Sequence, residues 1–294
     1  MPTKVAIFGS AGQLGQELNR EFNARGYTVY CWDRAGVDIS DASAVEQAIA
    51  SADPEIVVNA AAYNQVDVAE KEPVAAFQVN ALAVRSLAVA CRQTGARLVH
   101  FSTDYVFDGR AGQPYRESDP THPLGAYAVS KLAGELYAQA YLEDPLVIRT
   151  SGVFGPGGLR TARGNFIELM MRLASSGHPI RVVEDHVASP TYAPALAART
   201  VELVELKAHG VVHCGGGQPI SWYDYARLIF EAAGLKPELQ PTDEREYRTP
   251  ARRPRYSALD NGLLASLGAT PMPPLEECIR TYLNLRNQKM VEFR

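Results

Sequence analysis

Residues 5–22 read Val5-Ala6-Ile7-Phe8-Gly9-Ser10-Ala11-Gly12-Gln13-Leu14-Gly15-Gln16-Glu17-Leu18-Asn19-Arg20-Glu21-Phe22, and this stretch decides the fold. Four apolar residues in a row suit a buried strand. Three glycines follow at once, and a helical pattern opens at Gln16. Glycine lets the backbone turn tightly and approach a bulky anion, while a helix N-terminus offers free N–H groups and the positive end of its dipole. Strand, glycine turn and helix in this order predict a pyrophosphate lying on Gly9, Ala11, Gly12, Gln13, Leu14 and Gly15. The spacing is G-x-x-G-x-x-G rather than the usual dinucleotide pattern G-x-G-x-x-G, with the same physics.

The next strand, Thr28-Val29-Tyr30-Cys31-Trp32, ends at Asp33-Arg34. A carboxylate there suits the ribose 2′-OH of NADH, and an arginine suits the 2′-phosphate of NADPH. The chain carries both, so NADPH and NADH both stay open, with the reading leaning to NADPH. Asp38 and Ile39 are placed at the adenine, and Asp38 can also serve the N-cap region of a helix over 42–50.

Strand-like runs recur at 5–8, 29–32, 56–59, 98–102, 146–149 and 211–214. Helical patterns over 13–25, 43–51, 73–93 and 125–141 separate the early ones. This alternation predicts an α/β fold: a Rossmann-type doubly wound parallel sheet with right-handed crossovers and a smaller C-terminal α/β substrate lobe. After residue 149 the alternation loosens. Residues 152–164 read as a Gly- and Arg-rich loop, 166–175 as an amphipathic helix, and 221–233 as a helix opened by Ser221. Residues 237–254 read as extended or loop. The expected dinucleotide-binding domain is 1–151, with roughly 186–209 returning to it; 152–185 and 210–294 form the lobe. Ligands of open α/β sheets bind beyond the C-terminal ends of strands. The glycine turn, Asn59-Ala60-Ala61-Ala62 and Ser102-Thr103 all follow strands and should line one crevice. The small side chains of Ala60, Ala61 and Ala62 let a cofactor lie against the backbone.

The 294 residues carry a net charge of −4, without the basic footprint of a nucleic-acid binder. Cys31, Cys91, Cys214 and Cys278 show no C-x-x-C spacing, as free thiols in a reducing compartment would. The first strand begins at Val5, which leaves no room for a leader. No apolar run approaches the roughly 20 residues of a membrane span. A cytoplasmic protein with neither nucleic acid nor membrane as partner is expected.

Tyr127 and Lys131 stand four apart in Gly125-Ala126-Tyr127-Ala128-Val129-Ser130-Lys131. On a helix these positions share a face, and a nearby ammonium lowers a tyrosine pKa from about 10. Such a phenol can give a proton to a carbonyl oxygen or take one from an alcohol.

Gly9/Gly12/Gly15, Ser102-Thr103 and Tyr127-x-x-x-Lys131, in this order, resemble the extended short-chain dehydrogenase/reductase family. Further segments carry a closer resemblance, over nearly the whole chain, to the dTDP-4-dehydrorhamnose reductases. These are Val58-Asn59-Ala60-Ala61-Ala62, Val66-Asp67-x-x-Glu70, Ser102 through Gly109, Lys131-Leu132-Ala133-Gly134-Glu135, Arg149-Thr150-Ser151, Gly164-Asn165-Phe166, Pro190-Thr191, Trp222 through Ala226 and Ala251-Arg252-Arg253-Pro254. The resemblance implies a nucleotide-sugar substrate, a dTDP-linked 4-keto-6-deoxy sugar, reduced at C4 to give dTDP-L-rhamnose. It makes Thr103, Tyr127 and Lys131 catalytic. Tyr127 would protonate the C4 oxygen. Lys131 would keep Tyr127 acidic and bond the nicotinamide ribose. Thr103 would donate to the same oxygen or to Tyr127. Ser102 and Asn80 join the cofactor contacts, Asn80 either orienting Lys131 through water or serving only as a helical residue.

Sugar-nucleotide 4,6-dehydratases place Asp-Glu after the threonine. Asp104-Tyr105 here argues for reduction, with both residues either ligands or loop caps. The reductases' Arg-Thr-Ser-Trp becomes Arg149-Thr150-Ser151-Gly152, which removes an apolar wall from the sugar site. Substrate-side candidates are Thr103, Asp104, Tyr105, Gly152, Asn165 and Arg253. The basic run Arg252-Arg253-Pro254-Arg255 suits a diphosphate, a solvated loop or an ion pair with Asp243-Glu244. No metal site is expected: His209-x-x-x-His213 crosses a turn into a strand, and His178 and His186 lack a ligand constellation. Trp222-Tyr223-x-Tyr225 reads as helix packing, and Val106 and Phe107 as core. Two other readings stay open. One is a non-catalytic NADP-binding regulatory subunit resembling the methionine adenosyltransferase β subunit; the other is a reductase of another 4-keto sugar nucleotide. A homodimer and Mg2+ at a subunit contact are left open as well.

Overall fold

The computed structural model describes residues 2–160 and 164–292, so the loop expected over 152–164 lies partly outside the described residues. The elements run β1 (Lys4–Phe8), α1 (Gln13–Ala24), β2 (Thr28–Trp32), α2 (Ala42–Ala52), β3 (Ile56–Asn59), α3 (Val66–Ala69), α4 (Pro73–Phe77), α5 (Ala83–Thr94), β4 (Arg97–Thr103), α6 (Ala126–Tyr141) and β5 (Leu146–Thr150). Then come α7 (Phe166–Ala174), β6 (Ile180–Val183), β7 (Val187–Ala188), α8 (Ala193–Glu205), β8 (Gly210–His213), β9 (Ile220–Ser221), α9 (Trp222–Ala233), β10 (Leu239–Thr242), α10 (Gly262–Ser266) and α11 (Leu275–Glu292).

Six strands form one sheet in the order β2-β1-β3-β4-β5-β8, parallel throughout. The chain winds outward from β1 to β2 and then returns across β1 to β3. The crevice of a doubly wound sheet opens at that reversal. Val5 and Ile7 face a cluster with Leu18, Phe22, Leu196 and Val201. Ala6 and Phe8 face the opposite cluster, with Val45, Ile49, Val84 and Leu87. That alternation is the period of two expected when helices cover both faces of a sheet.

The helical run Pro73–Thr94 contains a π turn over Gln78–Leu82. It is long and apolar enough by composition to cross a bilayer, and half of it is buried. It reaches the span length that the sequence reading found absent. Ala83, Val84, Leu87 and Cys91 on this run are buried in the second cluster, as in a core helix.

Four further findings depart from the sequence reading. β8 was expected in the lobe but closes the large sheet, Val211 and Val212 lying beside Val147 and Ile148. We propose that the nucleotide-binding domain takes in β8 for that reason. α8 and α11 form where no helix was expected, while β10, paired with β6, lies in 237–254, the segment read as extended or loop. The N-cap of α2 is Asp41, whose side chain accepts from Ser43 and Ala44 N–H, not Asp38. Cys31 is exposed, while the other three cysteines are buried free thiols. The second lobe has its own core, in which Phe154, Ile167, Tyr225, Ile229 and Tyr282 are buried.

Candidate active site

The glycine turn is built by close approach. Gly9 has φ +81°, and a Cβ there would stand 2.5 Å from Ala61 N. A Cβ on Gly15 would stand 2.2 Å from the Gly9 carbonyl oxygen. No larger residue keeps this geometry. Gly9 and Ser10 N–H both donate to the Trp32 carbonyl, tying the turn to the end of β2. The N-cap of α1 is Gly12, with no side-chain cap and no acidic residue in the first turn. The first amides of α1 are therefore free of any side-chain anion, which fits a pyrophosphate. Asp33 Oδ1 accepts from Ala35 and Gly36 N–H at 3.1 and 3.0 Å. Arg34 is exposed and pairs with Asp38 at 3.3 Å. Asp38 also accepts from Ser40 Oγ and N–H, the main causes of its lowered pKa, with Arg34 adding to them. Ile39 is buried behind this loop. Ala60, Ala61 and Ala62 follow β3, with the Asn59 side chain accepting from Ala61 N–H.

Asn80 lies in the π turn. Its amide accepts from Tyr63 N–H at 2.8 Å and donates to the Tyr63 carbonyl and to Ser130 Oγ. It thus holds the chain just beyond Ala62 against α6, a role neither sequence reading named. A π turn shifts one residue out of helical register, and here that residue reaches two backbone groups.

α6 carries Tyr127 and Lys131. Glu70 Oε1 caps it by accepting Ala126 N–H at 2.8 Å, in the space left by Gly125. Lys131 is 3% exposed and its Nζ donates to the Phe101 carbonyl at 2.5 Å. Burial lowers its pKa to about 8, opposed by the charge of Glu135. The Tyr127 ring meets Tyr105 edge-on, with centroids 6.2 Å apart.

Ser102, Thr103 and Asp104 end β4 in a tight polar cluster. The Ser102 hydroxyl donates to Glu135 Oε1, so that side chain is committed inward. Glu135 takes the Arg149 guanidinium as well, with Nη2 to Oε2 at 2.7 Å. Both side chains are almost fully buried. Thr103 Oγ1 accepts from Tyr105 N–H and gives its one proton to Asp104 Oδ1 at 3.1 Å. The donor role expected of Thr103 requires that hydroxyl to turn away from Asp104. Asp104 is 2% exposed. Its Oδ2 also accepts Ser151 Oγ at 2.8 Å and Ser257 Oγ at 2.5 Å. Burial raises its pKa to about 6 against those hydrogen bonds. The Asp104 carboxylate thereby joins the ends of β4 and β5 to the segment before α10. Burial likewise pushes Tyr105 up to about 12, and its phenol bonds Arg253.

Arg253 forks onto Asp67 at 3.0 and 2.8 Å. The ion pair expected between the basic run and Asp243-Glu244 forms through Arg255 and Glu244. Asn165 caps α7 and donates to Gln13 Oε1 at 3.2 Å, joining the second lobe to the glycine turn. Gly157 lies against the same residue, a Cβ there falling 2.7 Å from Gln13 Cα. His186, read as lacking a ligand constellation, sits with Asp185 and Glu244, the three ligand atoms within 4.8 Å of one another. Glu244 is already held by Arg255 and His186, and its pKa falls to about 2 through those bonds. This is an ion-pair network. His213 stands in β8 as expected, with burial lowering its pKa to about 4. Val106 and Phe107 are core.

Glu70, Asp67, Glu135 and Ser151 stand in segments that carry the family resemblance, with no role legible in sequence, and Ser257 stands outside those segments. Glu135 stood four residues from Lys131, on the same helical face. A carboxylate there is a readable sign of buried pairing.

A phenol and an ammonium on one helix, beside a threonine at a strand end and a glycine-lined crevice, are the equipment of a nicotinamide-dependent carbonyl reductase. A model of the family described as RmlD substrate binding domain matches residues 3–287, and the chain belongs to that family. Spore coat polysaccharide biosynthesis protein SpsK of Bacillus subtilis is 37% identical over 285 residues, covering 97% of this chain and 98% of that protein. dTDP-4-dehydrorhamnose reductase of Mycobacterium tuberculosis is 37% identical over 286 residues, covering 95% and 92%. The crystal structure of dTDP-4-dehydrorhamnose reductase from Bacillus anthracis in complex with NADP matches with a TM-score of 0.91 at 35% identity, covering 96% of this chain and 99% of that one.

Proposed function

We propose that the protein reduces the C4 ketone of dTDP-4-dehydro-L-rhamnose to dTDP-L-rhamnose, using NADPH or NADH. One observation carries the reading: on α6, Lys131 stands one turn beyond Tyr127 and its ammonium reaches the Phe101 carbonyl in β4, in a chain 37% identical to a dTDP-4-dehydrorhamnose reductase over 95% of its length. The glycine turn, Asp33, Arg34, Ala60 and Ala61 would hold the dinucleotide, which supplies hydride. Tyr127 delivers a proton to the ketone oxygen as charge develops there. Lys131 keeps a positive charge beside the phenol and favours its ionised form after transfer. Thr103 steadies the same oxygen once its hydroxyl turns from Asp104. Positioned proton transfer contributes about 10²–10⁴-fold.

A second reading, reduction of another nucleotide-linked 4-keto sugar, is favoured by the exposed, side-chain-free Gly152. Consumption of NADPH and NADH is to be followed with a panel of 4-keto sugar nucleotides. Turnover with the dTDP-linked 6-deoxy sugar is the expected result. Cofactor binding without consumption on any member would return the chain to the regulatory-subunit reading.

The Lys131 ammonium is present below its pKa of about 8 and is lost above it. The kcat at saturating substrate is therefore expected to fall as pH rises through about 8. A flat profile from pH 7 to 10 would show that the charge of Lys131 does not assist the step.

A further inference from the structure

We propose that Trp222 is the apolar wall of the sugar pocket in this chain, and that it selects a sugar with a methyl group at C5 over one with a hydroxymethyl group. The proposal rests on the reductase reading and names the specificity determinant of the same site.

Gly152 is exposed and follows Ser151, whose hydroxyl bonds the Asp104 carboxylate that also receives the Thr103 proton. It therefore borders the candidate catalytic cluster. Its φ is +50°, a region that L side chains rarely adopt, so a bulky side chain at this position would be strained. A Cβ built there would stand 3.4 Å from Trp222 Cη2 and 3.4 Å from Pro190 Cα. The far edge of an indole from the second lobe thus stands against the space that a side chain of residue 152 would occupy. Trp222 is the first residue of α9, directed by the Ser221 cap, whose Oγ accepts Asp224 N–H at 2.9 Å. Phe166 backs the indole edge-to-face at 4.7 Å, and Tyr225 lies 6.0 Å away. The indole is only partly buried and the residue that its edge approaches, Gly152, is exposed, so the proposal places apolar surface there. Such a surface accepts C–H groups and a methyl, and leaves an added hydroxyl without a partner. A wall of this kind discriminates by at most about 10²-fold.

The test measures NADPH consumption by the wild type, Trp222→Phe and Trp222→Ala, using dTDP-linked 4-keto hexoses with and without the 6-hydroxyl. For Trp222→Ala, the KM of the 6-deoxy substrate is expected to rise about 10-fold with kcat within about two-fold, and the kcat/KM preference for it to fall about 10-fold. Trp222→Phe, which keeps an aromatic contact with Phe166, is expected to be intermediate. A purely structural role would lower the melting midpoint and affect both substrates equally; an unchanged preference overturns the proposal. If the wild type consumes no NADPH, the reductase reading fails by itself. The wall is then read from the binding of dTDP-L-rhamnose by titration calorimetry. A Kd about 10-fold weaker in Trp222→Ala supports it, and an unchanged Kd sinks it.

Discussion

Tyr127→Phe is expected to lower kcat by at least about 10²-fold while leaving cofactor affinity within about two-fold. The substitution removes one oxygen and keeps the ring that meets Tyr105 edge-on, so α6 and its cap on Glu70 persist. What disappears is the only proton assigned to the developing alkoxide. The loss should fall on kcat and kcat/KM together, because the phenol acts in the transition state more than in the ground state. Single-turnover kinetics with NADPH and fluorescence titration of the cofactor separate the two effects. An unchanged chemical rate would remove Tyr127 from the mechanism.

Arg149→Met is expected to destabilise the protein by about 3–5 kcal/mol, measured by chemical denaturation. Arg149 is held by Glu135 through three contacts, and its guanidinium lies 5.2 Å over the Phe107 ring. Removing one partner leaves the other charge buried and unpaired, which costs more than the pair contributes. The double variant Arg149→Met with Glu135→Leu is therefore expected to recover most of the loss. A single variant as stable as the wild type would mean that water reaches Glu135.

The large sheet could be read from sequence because buried parallel strands announce themselves. Ile56-Val57-Val58 and Leu146-Val147-Ile148 are continuous apolar runs, and the glycines at 9, 12 and 15 follow the run Val5–Phe8 directly. Tyr127 and Lys131 were legible because helical spacing places them on one face. The second lobe was harder. β6 and β10 are short, half-exposed strands whose partners lie about sixty residues apart in the chain, and such pairing leaves little local signature. α11 carries charged and polar residues among its apolar ones, which weakens its periodicity. The polar interior was hardest of all. Nothing local says that Asp104 will meet Ser151 and Ser257, or that Arg253 will meet Asp67 rather than Glu244, because those choices are made by tertiary contact across more than forty residues.

The bond from Asn165 to Gln13 has a thermodynamic corollary. Gln13 opens the helix on which a dinucleotide would rest, and Asn165 precedes Phe166, the ring that backs Trp222. Were a bound dinucleotide to restrict Gln13, the row from Asn165 through Phe166 to Trp222 would be restricted with it, and a later guest would surrender less entropy on arrival. Reciprocity then requires the guest to tighten the hold on the first molecule by the same factor.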